Sequence, residues 1–432
     1  MANVLVMMVP EYGGTNATFR FAKALETAGH RVAYVAIGAF QEYVASNGFR
    51  AFRIGHTDTN SRVHPSAAGV VGVGPSGSRH RVNRRTLLLE RRERDFARVH
   101  DIITEFSPNV LLLDPIFLSP VRPFLERGIP IVNLNQTYSI PFLVGQFPVT
   151  SGEIPTGSWG DIPRSLRAWL VALRERYPVR RLLRTFADNA VGVGVTGQLR
   201  RLGYSVQLGD INYRLRLPEL LVGPADLEFP SVRLPFEREY LGTCVDTDRT
   251  AGSFFWGKLP PSRRLAYCSL GTLAGDFEPG FRFLREVISA FRDDAEWALV
   301  VRANNARIHE AGSGIDNVLI ADSVPQLEIL SRANVFITHG GASSIREGIY
   351  FGVPTVVFPC WLDQHGMAAR VVFHRIGLRG DVRTAMRDDV RALVSRVTSD
   401  PEIAQNLSRL SRKCRPQTEL NGGVRFVERF MR

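Results

Sequence analysis

The sequence is poor in lysine, and it lacks both long apolar runs and patches in which basic and aromatic residues alternate. Lys23, Lys258 and Lys413 are the only lysines, so arginine supplies nearly all of the 54 basic residues behind the formal net charge of +12. No patch in which basic and aromatic residues alternate accompanies this charge. Because nucleic-acid binding relies on such patches, we expect no nucleic-acid partner. No apolar run approaches the roughly 18 residues that a membrane span requires.

Cysteine is also scarce, which argues against a disulfide framework and a zinc site. Cys244, Cys268, Cys360 and Cys414 lie far apart and show no C-x-x-C spacing. The first apolar run, at residues 3–9, has no basic leader before it and ends after a strand's length, unlike a signal peptide. We therefore expect a cytoplasmic protein without a zinc site or a disulfide framework.

Two clusters of arginine add a second hypothesis about location. One lies between residues 79 and 98 and the other between residues 164 and 184. Clustered arginines are attracted to anionic lipid, so peripheral contact with a membrane surface is one interpretation. A solvated helix face in an arginine-rich protein is the simpler one.

The order of apolar segments predicts two α/β domains. Strand-like runs such as "NVLVMMV" and "NVLLLD" alternate with segments of helical periodicity, a pattern typical of a parallel sheet covered by helices. A Pro- and Gly-rich stretch interrupts the alternation, which then resumes. We predict a first domain at 1–222, a connection at 223–260, a second domain at 261–400, and terminal helices at 401–432 that pack back on the first domain.

Three polar loops in the second half follow apolar strands, and their residues suit a sugar nucleotide. The loops are "YCSLGT" with Ser269, Gly271 and Thr272, "THGGASSIREG" with His339, Gly340, Gly341, Ser343, Ser344 and Glu347, and "LDQHG" with Asp363 and Gln364. Glycine and hydroxyl residues before a helix let backbone N–H groups approach a diphosphate. A carboxylate beside an amide can hold adjacent sugar hydroxyls. Taken singly, the first loop is equally an ordinary tight turn and Asp363 equally a helix N-cap.

Together with "VPQLEIL" at 324–330, these loops resemble the donor-binding signature of the UDP-glucosyl/glucuronosyl and macrolide glycosyltransferase family. The segments "GHRV", "LLLD", "LEFP" and "YLG" extend the resemblance over most of the chain. It implies the GT-B fold, in which two Rossmann-like doubly wound parallel-sheet domains face each other across a cleft. It also implies an inverting glycosyltransferase of the kind found in natural-product biosynthesis. Such an enzyme would move a hexose, expected to be glucose, from a UDP- or dTDP-sugar to a small or lipid-like acceptor. The resemblance implies that this transfer needs no metal and no cofactor.

The resemblance also implies roles for single residues. The diphosphate would be held by the two glycine-containing loops that include Ser269, Gly271 and Ser344. The residues expected to contact it most directly are Thr272, His339, Gly340, Gly341 and Ser343. The base would meet Gln326 and the Val324 backbone, the ribose Glu347, and the hexose Asp363 and Gln364. The sequence departs from the family pattern at Ser323, where an aromatic residue usually stacks on the base, and at Met367, where the family has Asn. The first departure leaves the nucleobase open.

The largest departure is in the turn "MVPEYGGTNATF" after the first strand. The family has a catalytic His in this turn, and the alignment puts Gly14 in its place; Asp114 matches the Asp that orients that His. Either the acceptor is already nucleophilic, as an amine, a carboxylate or an acidic phenol would be, or another residue takes its proton. We name His56, His64 and Asp114 as substitutes. A degenerate homologue that binds nucleotide sugar as a binding or regulatory protein is the alternative.

The acceptor pocket is the least defined part of the sequence. Tyr138, Phe142 and Phe147 are candidate apolar walls beside Gly14. Aromatic residues at these positions are as typical of a core as of a pocket.

Overall fold

The computed structural model describes most of the chain. The described residues are 1–38, 40–55, 84–118, 121–176, 195–249, 254, 256–259, 264–271, 277–292, 294–415 and 418–431. For residues 84–94, 176, 195 and 196 the description covers the backbone alone. The predicted site residues His56, His64 and Thr272 lie outside the described residues.

The first domain is built on a seven-stranded parallel sheet of order β3-β2-β1-β4-β5-β8-β9, beside an antiparallel hairpin of β6 and β7. The strands are β1 (Asn3–Met7), β2 (Arg31–Ile37), β3 (Arg50–Ile54), β4 (Val110–Leu113), β5 (Ile131–Asn135), β6 (Val206–Leu208), β7 (Tyr213–Leu215), β8 (Glu219–Leu221) and β9 (Arg238–Tyr240). The helices are α1 (Tyr12–Thr27), α2 (Phe40–Ser46), α3 (Arg84–Phe106), α4 (Arg122–Glu126), α5 (Asp161–Arg176) and α6 (Val195–Arg201).

Strand β1 shows why the first sheet is apolar on both faces. Val4 and Val6 point into a core formed with α1, whereas Leu5 and Met7 point into a core formed with α3. Because successive side chains of a strand alternate, a sheet covered on both sides needs an unbroken apolar run. The run "NVLVMMV" therefore predicted a strand correctly, and the sheet order places that strand inside the sheet.

The second domain contains a six-stranded parallel sheet of order β12-β11-β10-β13-β14-β15. The strands are β10 (Arg264–Ser269), β11 (Trp297–Arg302), β12 (Val318–Ala321), β13 (Val335–Thr338), β14 (Thr355–Val357) and β15 (Gly377–Arg379). The helices are α7 (Glu278–Phe291), α8 (Ala306–Gly312), α9 (Gln326–Leu330), α10 (Ala342–Phe351), α11 (Gln364–Phe373) and α12 (Arg387–Ser399), followed by the terminal helices α13 (Pro401–Cys414) and α14 (Thr418–Glu428).

The structure differs from the predicted domain boundaries in the connection at 223–260. Strand β9 lies inside that segment and forms the edge of the first sheet by pairing with β8. Its three residues carry no apolar run, so periodicity does not predict a strand there. At the other end of the chain, Leu420, Val424 and Val427 of α14 are buried in the core beneath α1.

A buried network of five charged side chains joins the two domains. Glu219 of β8 forms ion pairs with Arg214 and, at 2.6 Å, with Arg238. Glu228 contacts Arg238 at 2.9 Å and, at 2.6 Å, Arg370 of α11. Because an unpaired charge inside a protein costs several kcal/mol, these groups are stable only together, and they fix α11 against the first domain.

Of the helices in the described ranges, none combines the length and apolarity of a membrane span. The arginine clusters fall largely outside the residues whose side chains are described. Within the second cluster, Arg164 pairs with Glu153 at 2.5 Å and with Asp161 at 2.8 Å.

Candidate active site

The loops predicted to bind a diphosphate meet at the carboxyl edge of the second sheet. Strands β10 and β13 are neighbours, with Ser269 in register with Thr338. The segment after β10 therefore lies beside His339, Gly340 and Gly341, which follow β13. Parallel sheets bind ligands at this edge, because the loops and helix N-termini there face open space.

His339 is held as a neutral imidazole between two glycines. A Cβ added at Gly271 would come within 2.8 Å of the ring, and one added at Gly341 within 2.7 Å, so neither position has room for a side chain. Desolvation lowers the pKa of His339 to about 4, and the nearby positive charge of Arg302 adds to the effect. The ring can therefore donate one hydrogen bond to a phosphate at neutral pH without carrying a charge of its own.

Helix α10 begins directly after this loop and is fastened to the first domain. Ser343 donates a hydrogen bond of 2.7 Å to the carbonyl of Gly13, in the first turn of α1, and accepts one of 2.8 Å from Arg346. The buried Arg346 guanidinium also donates to the carbonyls of Gln136 and Val222, both at 2.7 Å. The N-terminus of α10 thus lies against the turn that contains Gly14.

The residues expected to meet the nucleoside form a connected chain of hydrogen bonds. Gln326 accepts from the Tyr267 hydroxyl at 2.8 Å and donates to Glu347 at 2.5 Å. Glu347 also pairs with Arg249 at 2.8 Å. Val324, partly buried, precedes α9. Gln326 and Glu347 therefore lie together, with the oxygen and nitrogen of the amide and both carboxylate oxygens already bonded within the protein. Their contacts with a nucleoside stay a prediction.

Asp363 and Gln364 differ in their surroundings. The Gln364 side-chain oxygen accepts from the backbone N–H groups of Cys360 at 2.9 Å and Trp361 at 3.1 Å, so it braces the loop. Asp363 occupies the N-cap position of α11 but makes no side-chain capping bond. The preceding Leu362 has a φ of +56°, a conformation that is uncommon for a bulky residue and occurs most often at functional sites.

Sequence reasoning missed Arg302, which ends β11 and is in register with Ser269. Its charge reaches His339, which places it at the same edge of the sheet. An arginine at one strand end carries no signal in a chain so rich in arginine. In the described part of the chain, no three His, Cys, Asp or Glu side chains are grouped as ligands for a metal ion.

In the turn after β1, a side-chain amide fills the space beside Gly14. Gly14 lies in the first turn of α1, and a Cβ there would collide with the side-chain amide of Gln136. That amide donates a hydrogen bond of 3.0 Å to Asp114. Gln136 was not a predicted site residue, and a lone glutamine in "NLNQTYS" has no motif that would have singled it out.

The structure does not support Asp114 as the group that deprotonates the acceptor. The residue is only 1% exposed, because Gln136 covers one carboxylate oxygen and the backbone N–H of Ile116 binds the other at 3.0 Å. Burial raises the pKa of Asp114 to about 6. The carboxylate is basic enough, but the acceptor cannot reach it.

Tyr138 is not a wall of the acceptor pocket. It is 0% exposed, its hydroxyl donates to the carbonyl of Pro224 at 2.9 Å, and the Arg370 guanidinium lies over its ring. A φ of +58° turns this side chain into the interior, which sequence spacing does not reveal. Phe142 is 40% exposed and packs edge-on against Trp169, and it keeps its candidate role; Phe147 is buried.

The second half of the chain, residues 219–432, matches the sequence model of the family described as UDP-glucoronosyl and UDP-glucosyl transferase. The chain is 25% identical over 411 residues to the oleandomycin glycosyltransferase of Streptomyces antibioticus, with 95% of this chain and 86% of that protein aligned. It is 26% identical over 422 residues to the 4'-demethylrebeccamycin synthase of Lentzea aerocolonigenes, covering 95% and 94% of the two chains.

The fold of the whole chain is also similar to that of solved glycosyltransferases. The glycotransferase of kitacinnamycin superimposes with a TM-score of 0.70 at 22% identity, covering 100% of this chain and 99% of that one. Because the match spans both parallel-sheet domains, it confirms the GT-B fold.

Proposed function

Because this chain belongs to the UDP-glucosyl/glucuronosyl transferase family and is a nucleotide-sugar-dependent glycosyltransferase, we propose that it moves glucose to the hydroxyl or amine of a natural-product aglycone. The donor in this proposal is a UDP- or dTDP-sugar, and the configuration at the anomeric carbon is inverted. The relatives named for oleandomycin and 4'-demethylrebeccamycin support a small-molecule acceptor.

The observation that carries the proposal is the convergence of the donor loops at one sheet edge. Ser269, His339 and the first turn of α10 come together where strands β10 and β13 end. A diphosphate placed there would meet unpaired N–H groups and the positive end of the helix dipole. Those groups would also stabilise the negative charge that develops on the diphosphate as it leaves.

Selection of the hexose is assigned to Asp363. It begins α11 and follows a residue of positive φ that holds it at the end of the donor loops. A carboxylate accepts hydrogen bonds from two neighbouring hydroxyls, whereas an isosteric amide can accept from only one side. Sugar recognition is therefore expected to fail before nucleotide recognition does.

Calorimetric titration tests both parts of the donor proposal. We expect UDP-glucose or dTDP-glucose to bind the wild type more tightly than its free diphosphate. Asp363→Asn should lose about tenfold of sugar-dependent affinity, equivalent to about 1.4 kcal/mol, and keep its affinity for the free diphosphate. Asp388→Asn, at a fully exposed carboxylate on α12, is the matched control. If the wild type binds no sugar nucleotide, the proposed function is wrong.

The acceptor side leaves two routes, because no imidazole stands at position 14. The Gln136 amide in its place has no appreciable basicity at neutral pH. Either an acidic or strongly nucleophilic acceptor attacks unaided, or a different group receives its proton. Transfer to an aliphatic alcohol as well as to 4-nitrophenol would select the second route.

A further inference from the structure

The acceptor side contains one carboxylate whose placement answers this question, and it belongs to the turn that lacks the imidazole. We propose that Glu11 is the general base that takes the proton from the acceptor hydroxyl. This inference depends on the proposed function and identifies a catalytic group for it.

The position of Glu11 follows from the geometry of the helix start. Glu11 is the N-cap of α1, with φ −137° and ψ 130°, so Gly14 is the third residue of the helix. In a capping box the side chain at each of these two positions bonds the backbone N–H of the other, so the two positions lie within one side chain's reach of each other. A carboxylate at position 11 therefore reaches the place where an imidazole at position 14 would stand.

Among the described residues, the Glu11 carboxylate has no hydrogen-bond or ion-pair partner. Its side chain makes no capping hydrogen bond to α1. Glutamate is not among the residues that cap helices well, since its longer side chain does not fold back onto the first turn as Asp or Ser does. Its surface is open to solvent, so an acceptor in the cleft has access to it, although enough protein surrounds the cleft to disfavour the charged carboxylate. In the part of the chain that the structure describes, the hydrogen bonds of Glu11 are those of its backbone, one of 2.7 Å to the carbonyl of Val9 and one of 3.0 Å from Thr15.

The electrostatic surroundings make Glu11 a stronger base than an ordinary glutamate. Its pKa is raised, first by desolvation from the surrounding protein and second by the negative charge of Asp114. Asp114 can act in this way because β1 and β4 are adjacent and its N–H donates to the carbonyl of Met7 at 2.9 Å. Among the described residues, the charged or titratable groups near this turn include Tyr12 in the turn itself, Tyr43 on α2, and Arg346 and Glu347 on α10, with Arg249 paired to Glu347.

Glu11 also succeeds where the two nearest alternatives fail. Asp114 also has a raised pKa but is sealed beneath Gln136, and the Gln136 amide lies at position 14 but is not basic. The two carboxylates of this region therefore differ in access, because Gln136 covers Asp114 whereas Glu11 is exposed. One stays buried and contributes its charge, while the other meets the acceptor.

The step that follows is balanced. The Glu11 carboxylate accepts the proton of the acceptor hydroxyl as its oxygen forms a bond to the anomeric carbon from the face opposite the diphosphate. The bond between that carbon and the diphosphate oxygen breaks, and the nucleoside diphosphate leaves with the electron pair. Glu11 then releases its proton to solvent, which returns the enzyme to its starting state.

The test compares Glu11→Gln, Glu11→Asp and Glu11→Ala with the wild type. Transfer from UDP-glucose and dTDP-glucose is measured to an aliphatic alcohol and to 4-nitrophenol between pH 5 and about 9, with donor affinity from calorimetry. Glu26→Gln is the matched control, since this exposed glutamate with a raised pKa lies in the last turn of the same helix.

We expect Glu11→Gln to lower kcat/KM for the alcohol by a factor on the order of 10² to 10⁴ and for 4-nitrophenol far less, because the phenol is largely ionised without help. The acid limb of the pH profile should disappear, donor affinity should stay the same, and Glu11→Asp should recover part of the rate. Formate should restore part of the activity of Glu11→Ala by supplying a carboxylate.

Equal kcat/KM of Glu11→Gln and wild type for the alcohol would overturn the inference while leaving the proposed function intact. An equal loss with both acceptors and an unchanged pH profile would also overturn it, because that pattern indicates a structural role. A wild type that transfers to neither acceptor would refute the proposed function and the inference together.

Discussion

Restoring an imidazole at position 14 is the perturbation that the acceptor site constrains most tightly. Gly14→His alone forces the new side chain onto the Gln136 amide, which must move and give up its 3.0 Å bond to Asp114. Gly14→His with Gln136→Ala opens that space. The new imidazole can then donate a hydrogen bond to Asp114 in place of the amide. This is the contact expected from the family resemblance, in which Asp114 matches the Asp that orients the catalytic His.

The two variants should differ in both stability and rate. Overpacking costs about 1–3 kcal/mol and loss of a hydrogen bond to a charged group about 1.5–3 kcal/mol, so the single variant should lose at least about 2 kcal/mol of unfolding free energy. The double variant should regain most of it. In a Glu11→Gln background, the double change should raise transfer to an alcohol by a factor on the order of 10² or more, the worth of a placed general base.

Urea unfolding and the alcohol-transfer assay measure these effects, with calorimetry to show that donor affinity is unchanged. The reasoning would be refuted if Gly14→His alone were as stable as the wild type. It would also be refuted if the triple variant Glu11→Gln, Gly14→His, Gln136→Ala folded and bound donor but were no more active than Glu11→Gln.

Two further predictions concern stability. Glu228→Gln removes the charged partner of Arg238 and Arg370, whose side chains are 3% exposed, and should lower the free energy of unfolding by about 3–5 kcal/mol in urea titration. The control Glu278→Gln changes a side chain that is 75% exposed and should alter that free energy by less than about 0.5 kcal/mol. Equal effects of the two variants would show that the buried network is not needed for stability. His339 has a pKa of about 4 in the folded protein and 6.5 in the unfolded chain, so the unfolded state binds more protons between these two pH values. Acidification from pH 6.5 to 4 should therefore lower the free energy of unfolding of the wild type by up to about 3 kcal/mol, a loss that His339→Gln should not show. Stability curves that fall in parallel from pH 6.5 to 4 would contradict the neutral imidazole.

The convergence of the predicted donor loops could be foreseen from sequence because their residues stand in short, ordered segments. Loops such as "THGGASSIREG" follow apolar strands, and the register of β10 with β13 then brings Ser269 beside His339. Local pattern and sheet topology agree there, so reading the strand ends was sufficient.

The acceptor half could not be predicted in the same way, because its contacts are long-range and not periodic. Gln136 lies against Gly14 although 122 positions separate them in the sequence. Tyr138 points inward because of a positive φ, and β9 has no apolar run at all. Each of these features depends on backbone conformation or tertiary packing, which residue spacing does not encode.

The most direct test of the account is to identify the product that the enzyme forms from ¹³C-labelled UDP- or dTDP-α-glucose and an alcohol aglycone. Mass spectrometry detects the glucoside, and the anomeric coupling in its NMR spectrum gives its configuration. The account predicts a glucoside of β configuration, formed by the wild type and lost in Glu11→Gln while donor binding remains. A product of α configuration would contradict direct displacement with inversion, and bound donor with no glucoside would contradict transferase activity itself.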